Sequence, residues 1–406
     1  MNCGQWGFCA IIHLVKHLRL FWEFFKVSLF VVGGGYAIIV VADEIFGRKL
    51  KWLEEGELLE HLPVFQMVPG LIAGNTAIYT GLKIAGRSGA AAALFGAALP
   101  SFLIFLGVSM GYGWLPVDEP HVAGALAGLR AALTGIVFGT VAKSWGKSVR
   151  GVYGWLALAA GLALLVGAKA PVAAVLLGAM AVGVVYALAG GRLPPPDEKG
   201  AGVALAPLSR GGRCAVGAGV LVALLAVTVL CGAIFWTFVK FGLLGFGGGF
   251  VLMPLYMQTF VGEGAPLLQL PAEEFSNLMA LTQATPGPVS VNAATFFGYR
   301  MGGVGGALVA TVALLLPSYF LLSAALGGLD RWKRSRLVQG ILWGVRPATI
   351  ALMLQAGLVF AGMAMWKGTA FQPWGALLAG VAFAAMLKRI PIMWTIAGCA
   401  LLGAVG

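Results

Sequence analysis

Gln283-Ala-Thr-Pro-Gly-Pro-Val-Ser-Val-Asn292 lies in the middle of an apolar run that is otherwise typical of a membrane-spanning helix. Proline lacks a backbone donor and clashes with the preceding turn, and glycine leaves the backbone exposed, so Pro286, Gly287 and Pro288 predict a break in that helix. Within hydrocarbon, the backbone groups that a break releases must face protein or a water-filled cavity. The stretch therefore predicts a binding site.

A second stretch, Gln66-Met-Val-Pro-Gly-Leu-Ile-Ala-Gly-Asn75, shows the same pattern in the first half of the chain. Other features recur in the same order, which indicates an internal duplication. A matched pair of interrupted apolar segments is typical of a secondary transporter with its substrate site at the repeat interface. The other matched pairs are Phe21–Lys26 with Phe235–Lys240, Gly33–Gly35 with Gly247–Gly249, Lys83 with Arg300, Pro100-Ser101 with Pro317-Ser318, and Gly128–Arg130 with Gly344–Arg346.

The composition is that of a membrane protein. Of 406 residues, 60% are hydrophobic and 10% are charged, and the mean hydropathy is +0.92. Soluble proteins carry about 25% charged residues. Long runs of Leu, Ala, Val and Gly favour membrane helices of about 20 residues over the short alternating segments of a β-barrel. We therefore predict an all-α polytopic membrane protein with broken helices.

The apolar windows predict about thirteen membrane segments in two homologous repeats. Residues 1–20 form a basic N-terminal interfacial segment, 21–190 the first repeat, 191–213 a polar cytoplasmic linker and 214–406 the second repeat. The predicted segments are 21–42, 63–82, 86–112, 121–142, 152–168, 170–190, 214–233, 235–256, 275–298, 304–327, 338–363, 374–387 and 391–405.

Basic loops orient the chain, because lysine and arginine collect on the cytoplasmic side of membrane proteins. They predict an inside N-terminus and an outside C-terminus, so that segment 21–42 runs outward and its partner 235–256 runs inward. The repeats are then inverted, although merging one pair of segments would make them parallel. The basic regions are Lys143–Arg150, the linker 191–213, residues 331–336 and Lys388-Arg389.

The net charge of +12 is explained by these basic loops rather than by nucleic-acid binding. Acidic residues that bind hard cations are few, and the five cysteines form no metal-ligand spacing. We expect no metal, no cofactor, no catalytic residues and no nucleic-acid partner. We expect the lipid bilayer to surround the protein. Whether the protein forms a homodimer is left open by the sequence.

Two lysines and two glycine triplets are the first candidates for substrate binding. The lysines begin apolar segments, and a triplet follows each at the same distance. An unwound glycine turn can cradle an anion with its N–H groups, and close helix packing is the alternative. The lysines attract an anion or extend to the membrane interface. These residues are Lys26, Gly33, Gly34 and Gly35, and Lys240, Gly247, Gly248 and Gly249.

Arg130 and Arg346 lie several residues inside apolar runs, where an ionisable residue is a functional hypothesis. The planar guanidinium suits tetrahedral oxyanions, and bonding to carbonyls freed by a break is the alternative. Polar groups at the breaks, together with the positive ends of half-helices, also favour an anion, unless these groups only satisfy each other and the broken backbone. The candidates at the breaks are Gln66, Pro69, Gly70, Asn75, Gln283, Pro286, Gly287, Pro288 and Asn292.

Acidic residues distinguish the two halves. Glu23, Asp43 and Glu44 flank the leading segment of the first repeat, whereas the second repeat has Thr237, Met257 and Gln258 at the matching positions. One interpretation is that one half handles protons and the other mainly substrate. The other interpretation is that these are ordinary loop and interface acids.

The order of these motifs resembles the chromate transporter (CHR) family in its long-chain, two-domain form, over nearly the whole chain. The second half carries the clearer match, Phe238-Val-Lys-Phe-Gly-Leu-Leu-Gly-Phe-Gly-Gly-Gly249 followed by Gln283-Ala-Thr-Pro-Gly-Pro288. The first half departs from it at Ser28, at Val31-Val32 and at Leu71. The resemblance implies an inner-membrane protein with antiparallel halves, which exports chromate under the membrane potential or a proton gradient and so confers resistance.

Three alternatives stay open from the residues alone. Chromate and sulfate are both doubly charged tetrahedral oxyanions, so a sulfate or other oxyanion carrier fits the same pattern. An anion channel is the second alternative. A membrane-embedded enzyme acting on lipid phosphates is the third, and it needs clustered acids or histidines facing a cavity, which the sequence does not indicate.

Overall fold

A computed structural model describes residues 3–30, 35–117, 119–149, 151–191, 193, 232–246, 249–263, 265–325, 335–367 and 369–405. The described chain is almost entirely helical, as the sequence predicts. Its only strands are β1 (Trp366–Lys367) and β2 (Ala370–Phe371), which pair antiparallel in one short hairpin. Most of the predicted segment 214–233 and most of the linker 191–213 lie outside the described residues.

The first half contains eight of the described helices. Short π-helical turns follow two of them, at Glu44–Lys49 and Ala163–Gly167. The helices are α1 (Cys3–Phe30), α2 (Gly35–Asp43), α3 (Glu57–Glu60), α4 (Leu62–Met67), α5 (Ile72–Gly111), α6 (Pro120–Ser148), α7 (Gly151–Leu162) and α8 (Val172–Leu188). Helix α1 runs continuously through residue 20, where the sequence predicts the end of an interfacial segment.

The second half repeats most of this order. The helices are α9 (Gly232–Leu244), α10 (Gly249–Phe260), α11 (Ala272–Ala284), α12 (Val289–Ala325), α13 (Arg336–Met365), α14 (Pro373–Leu387) and α15 (Ile392–Val405). Both predicted helix breaks are present. Helix α4 ends at Met67 and α5 begins at Ile72, and α11 ends at Ala284 and α12 begins at Val289.

Helices α5 and α12 each fold back on themselves. Their backbone leaves the helical region at Ala85-Gly86 and at Gly302-Gly303, at matching positions of the two halves. Around the first bend, a Cβ on Gly81 would collide with the Gly89 backbone. In a straight helix, residues eight apart are separated by about 12 Å. Each of the two is therefore a hairpin of a short arm and a long arm.

The short arms carry the residues that follow the Pro-Gly breaks. Residues 72–84 and 289–301 are about 20 Å long at 1.5 Å per residue, which is less than the roughly 30 Å of a bilayer core. The long arms, 87–111 and 304–325, are long enough to cross it. This division agrees with the separate predicted segments on either side of each bend.

Four stretches are long and apolar enough to cross a membrane among the described residues, and shorter apolar helices accompany them. The four are Ile72–Trp114, Pro120–Gly146, Val289–Ala324 and Arg336–Met365. The shorter ones are Gly151–Gly167, Val172–Leu188, Gly232–Leu244, Pro373–Leu387 and Ile392–Val405. The exact number of spans and the inverted relation of the repeats stay predictions.

The chain forms two compact units, and each unit takes segments from both sequence halves. One unit comprises residues 1–110, 197–245 and 286–332, and we call it the hairpin unit because it contains α5 and α12. The other comprises 111–196, 246–285 and 333–406, and we call it the bundle unit. The duplicated halves are therefore interleaved in the packing of each unit.

Glycines make the helix contacts of the bundle unit close. Helix α6 packs most extensively on α15, and α13 on α8, so each long helix contacts the last helix of the other half. A Cβ on Gly128 would collide with the Cys399 carbonyl, and one on Gly344 with the Ala179 carbonyl. Small residues let membrane helices approach closely without a hydrophobic driving force.

Candidate functional site

The two Pro-Gly turns are the structural centre of the candidate site in the hairpin unit. Gly70 has φ +115° and Gly287 has φ +91°, values that side-chain-bearing residues rarely adopt. Both glycines are buried, and each turn leads directly into the first turn of a short arm. The first N–H groups of a helix have no intrahelical partner and carry its positive dipole end, so both positions suit an anion.

Each turn is packed against a serine from the other half of the sequence. The Ser318 hydroxyl donates to the Pro69 carbonyl over 3.1 Å, and a Cβ on Gly70 would overlap that hydroxyl. In the reciprocal contact, a Cβ on Gly287 would overlap the Ser101 hydroxyl. Only glycine fits at either turn, because both the backbone angle and the adjoining serine exclude a side chain.

The contacts of the two serines differ in hydrogen bonding. Ser101 is fully buried, and its Oγ has no hydrogen-bond partner within the described chain. The neighbouring Ser28 hydroxyl donates to the Ala97 carbonyl over 2.6 Å. A buried hydroxyl without a partner is costly, so the Ser101 hydroxyl needs an additional acceptor or a water molecule.

Asn75 closes the broken end of α4. Its Nδ2 donates to the carbonyls of Phe65 (2.9 Å) and Val68 (3.0 Å), and the side chain is fully buried. These donors satisfy the backbone, which is the structural alternative weighed for the amides at the breaks. Its Oδ1 has no partner among the described residues. Asn292, at the matching position of the second half, is equally buried.

The remaining residues at the breaks lie close to these turns along the chain. Gln66 is partly buried on α4, and Pro69 and Pro286 are partly buried at the turns. Pro288 is buried and begins the hydrogen bonding of α12, because its carbonyl accepts from the Val291 and Asn292 N–H groups.

The glycine triplets are described only in part. Gly35 begins α2 and Gly249 begins α10. Gly33, Gly34, Gly247 and Gly248 lie outside the described residues, so the predicted anion cradles stay predictions. The chain just before the second triplet contacts the first Pro-Gly turn, because the Gly70 N–H donates to the Gly245 carbonyl over 3.0 Å.

Lys26 lines a charged cleft in the hairpin unit. Its Nζ lies 2.8 Å from the Glu23 carboxylate, one turn earlier in α1. The cleft has a volume of about 410 Å³, and Arg19 and Lys49 also line it. Three cations with one anion give it a positive balance. Lys240, the counterpart of Lys26, is exposed near the end of α9.

The two arginines and Gln283 belong to the bundle unit. Arg130 is 13% exposed, and its guanidinium forms an ion pair with Glu273 and donates to the Asn277 side chain over 3.1 Å. Glu273 was not recognised as its partner from the sequence, because 143 residues separate them. Gln283 is buried, and its Nε2 has no partner within the described chain. Arg346 is exposed on α13.

The candidates are thus divided between the two units. The hairpin unit contains Lys26, Gln66, Pro69, Gly70, Asn75, Lys240, Pro286, Gly287, Pro288 and Asn292, together with Gly35. The bundle unit contains Arg130, Gly249, Gln283 and Arg346. Sequence reasoning did not assign Ser101 or Ser318 to the site, although the repeated Pro-Ser pairs were a signal that could have identified them.

Comparison with known proteins gives two matches to one family. The profile described as "Chromate transporter" matches residues 18–184 and, a second time, residues 232–404. Each matched region overlaps one of the two predicted repeats, whose boundaries stay predictions. No solved structure matches the chain.

Curated relatives match over most of their length. A "Chromate transport protein" of Cupriavidus metallidurans is 27% identical over 95% of this chain and 92% of its own length. One with the same description from Pseudomonas aeruginosa is 27% identical over 84% of this chain and 80% of its own. An uncharacterised transporter of Methanocaldococcus jannaschii is 24% identical over 86% of both chains.

Proposed function

The chain belongs to the chromate transporter family, and from this premise we propose that it is a secondary transporter that exports chromate from the cytoplasm and confers chromate resistance. The proposal puts the protein in the inner (plasma) membrane, with the repeats 21–190 and 214–406 inverted about a central oxyanion site. Relatives named as chromate transport proteins support the substrate.

The reciprocal contact of the two Pro-Gly turns with Ser101 and Ser318 is the observation that carries the site. In our proposal, the oxyanion accepts hydrogen bonds from the Ser101 hydroxyl and from the first N–H groups of the short arms. Charge attraction in the hairpin unit comes from Lys26 and Lys240, while the amides at the breaks hold the turns in shape. Arg130 and Arg346 are the proposed sources of positive charge in the bundle unit. The Pro-Gly turns and the helix N-termini that follow them occur twice, as expected for a site at a repeat interface.

The proposed outward direction of chromate transport follows from the membrane potential. An inside-negative potential favours the outward movement of anions by about 2.3 kcal/mol per charge per 100 mV. A dianion gains about twice this value, so export needs no further energy source in principle. Alternating access would come from one half of the chain rocking against the other around a fixed site.

Chromate flux into inside-out vesicles tests the proposal. We expect saturable chromate uptake that an inside-positive potential stimulates and that a large excess of sulfate inhibits only weakly. Equal or faster sulfate transport would favour a sulfate carrier, and flux that follows voltage without saturation would favour an anion channel. No flux of either anion would refute the proposed function.

Ser101→Ala tests most directly whether the Ser101 hydroxyl binds the oxyanion, and Ser109→Ala is its matched control. Both serines are buried on α5, but the Ser109 hydroxyl already donates to the Phe105 carbonyl over 2.6 Å. A hydrogen bond to a charged group contributes about 1.5–3 kcal/mol, which corresponds to roughly ten- to hundredfold in apparent affinity. We expect a loss of this size in Ser101→Ala and little change in Ser109→Ala. Equal behaviour of the two variants would remove Ser101 from the site.

A further inference from the structure

A second polar cluster lies in the hairpin unit, and the proposed oxyanion site does not use it. Glu57 is buried, and its Oε1 accepts from the Tyr79 hydroxyl (2.7 Å) and from the Lys83 ammonium (2.6 Å). His61, which is 2% exposed, places Nε2 at 3.3 Å from the Tyr79 hydroxyl oxygen. We call these four residues the His61 cluster.

The hydrogen-bond directions in the His61 cluster favour an added proton. The His61 Nδ1 lies 2.9 Å from the Glu57 backbone carbonyl, which can only accept, so Nδ1 carries a hydrogen. Tyr79 has one hydroxyl hydrogen, and its shorter contact directs that hydrogen to the Glu57 carboxylate. Nε2 can then donate to the Tyr79 oxygen only when the imidazole is protonated. The imidazolium completes a series of hydrogen bonds from His61 through Tyr79 to Glu57.

The formal charges around the His61 cluster also favour one more proton. Asp43 is buried, and its carboxylate accepts the N–H groups of Gly56 and Leu58 on either side of Glu57. The two carboxylates and Lys83 sum to one net negative charge. A proton on His61 brings this sum to zero, and neutralisation is favourable where charges are removed from water.

The other charged groups nearby pair at the surface. Arg48 bonds to Glu55 over 2.6 Å and lies 3.3 Å from Glu44, and all three side chains are exposed. Glu60, on α3 beside His61, is also exposed. Burial raises the pKa of Glu57, but hydrogen bonds from Lys83, Tyr79 and the Glu54 N–H outweigh it, so its pKa is below the ordinary value. Glu57 thus stays ionised and is available to stabilise a protonated His61.

The second half of the chain does not repeat this cluster. At the same distances from its Pro-Gly turn, the residues corresponding to Glu57, His61, Tyr79 and Lys83 are Glu274, Leu278, Phe296 and Arg300. The titratable histidine and the bridging hydroxyl are therefore present in one half only. A feature that maintained the fold of both repeats would be expected in both.

The His61 cluster is joined to the first Pro-Gly turn through α4. The Phe65 N–H donates to the His61 carbonyl over 3.2 Å, and the Phe65 carbonyl accepts from Asn75. Helix α4 is about 9 Å long and ends immediately before the turn at Pro69-Gly70. A change in the position of His61 is therefore passed to the turn by a short, hydrogen-bonded segment.

We propose that His61, with Tyr79 and Glu57, is a proton-binding site whose occupancy sets the position of α4 and of the Pro69-Gly70 turn. The proton comes from a hydronium ion at the water-exposed side: its O–H bond breaks as the N–H bond forms at the Nε2 lone pair, and a water molecule is released. The predicted orientation puts residues 43–62 on the outer side, where a respiring membrane is acidic. Coupling of this proton to oxyanion export rests on the proposed function, whereas proton binding itself does not.

A titration of the histidines tests proton binding without any transport. The full-length protein, labelled with 15N-histidine and reconstituted in lipid nanodiscs, is followed by NMR between pH 5 and 8, with His61→Gln identifying the His61 signals. We expect His61 to change from neutral to doubly protonated as the pH falls through this range. Tyr79→Phe, which reproduces the residue of the second half, should move this midpoint to lower pH. A His61 signal that keeps one protonation state throughout would overturn the proposal.

Vesicle transport tests the coupling. In inside-out vesicles with an acidic lumen, the steady-state chromate accumulation of the wild type should rise with the pH difference by up to about tenfold per pH unit, the limit for one coupled proton. His61→Gln should lose this stimulation and keep chromate exchange at equal pH. His121→Gln is the matched control, because His121 also contacts a backbone carbonyl but is exposed. Full stimulation in His61→Gln would overturn the coupling.

Failure of the proposed transport function and failure of the proton coupling give different results in these experiments. If no protein, wild type included, moves chromate or sulfate, the proposed function is refuted, and the NMR titration decides the proton site alone. If flux is present but insensitive to the pH difference in the wild type, the oxyanion site stands and the coupling is refuted.

Discussion

Replacing Gly70 with alanine tests the close contact between a Pro-Gly turn and the serine of the other half. Gly70 has φ +115°, and a Cβ there would overlap the Ser318 hydroxyl and lie 2.9 Å from the Ser318 Cβ. A disfavoured backbone conformation costs about 1–3 kcal/mol, and overpacking costs about 1–3 kcal/mol more. We therefore expect Gly70→Ala to lose roughly 2–6 kcal/mol of stability and most of its transport.

A double-mutant cycle separates the two costs. Ser318→Gly removes the side chain that the new methyl group would meet but leaves the backbone penalty unchanged. The double variant should therefore recover the overpacking part, a coupling of about 1–3 kcal/mol. Gly107→Ala is the control, because a Cβ on that helical glycine has no neighbour within 4 Å. It should be neutral or stabilising by up to about 1 kcal/mol.

The assay is denaturation of purified protein in detergent, followed by chromate flux in reconstituted vesicles. The reasoning fails if Gly70→Ala unfolds at the wild-type midpoint, because both costs would then be absent. It also fails if Ser318→Gly gives no recovery in the double variant, because the serine would then not limit the space at the turn.

The remaining predictions concern the bundle unit and the acid response of the hairpin unit. Gly128→Leu should separate α6 from α15, and a stability loss of about 1–3 kcal/mol in detergent would show it, whereas an unchanged midpoint would contradict the close packing. Arg346→Ala should abolish chromate uptake while membrane insertion, measured by fractionation, stays normal; wild-type flux would remove its proposed charge role. The stabilising contribution of the Glu57 carboxylate is complete above the usual glutamate pKa of about 4.3 and is lost as the pH falls through its lowered pKa. Glu57→Gln should thus destabilise the protein at neutral pH and show a weaker further loss below about pH 4 in pH-dependent melting; a wild-type acid profile would count against the ion pair.

Local sequence patterns were enough to predict several features. The membrane class followed from composition, because a high apolar fraction is incompatible with a water-exposed surface. The breaks after Met67 and Ala284 followed from proline and glycine, whose effects on a helix act within one turn. The resemblance to the chromate transporter family rested on motifs of this local kind, and the matches at 18–184 and 232–404 confirmed it.

Tertiary structure alone showed which groups at the site are already engaged. Asn75 was predicted as a candidate for substrate binding, but its Nδ2 donors bond the Phe65 and Val68 carbonyls. Arg130 was predicted to supply charge, and it forms an ion pair with Glu273. Neither partner is readable from the spacing of residues along one helix, because each contact depends on how separate helices pack.

The sequence by itself therefore determined that two helices break, where they break and that the breaks are a matched pair. Only the tertiary structure decided that the serine beside each break comes from the other half, and that Glu57, His61, Tyr79 and Lys83 converge in one cluster. The physical reason is the distance along the chain over which each effect acts. Backbone chemistry acts between neighbouring residues. The serine contacts join elements that are distant in the chain, and the His61 cluster joins α3 to α5, so both form only after separate helices have packed.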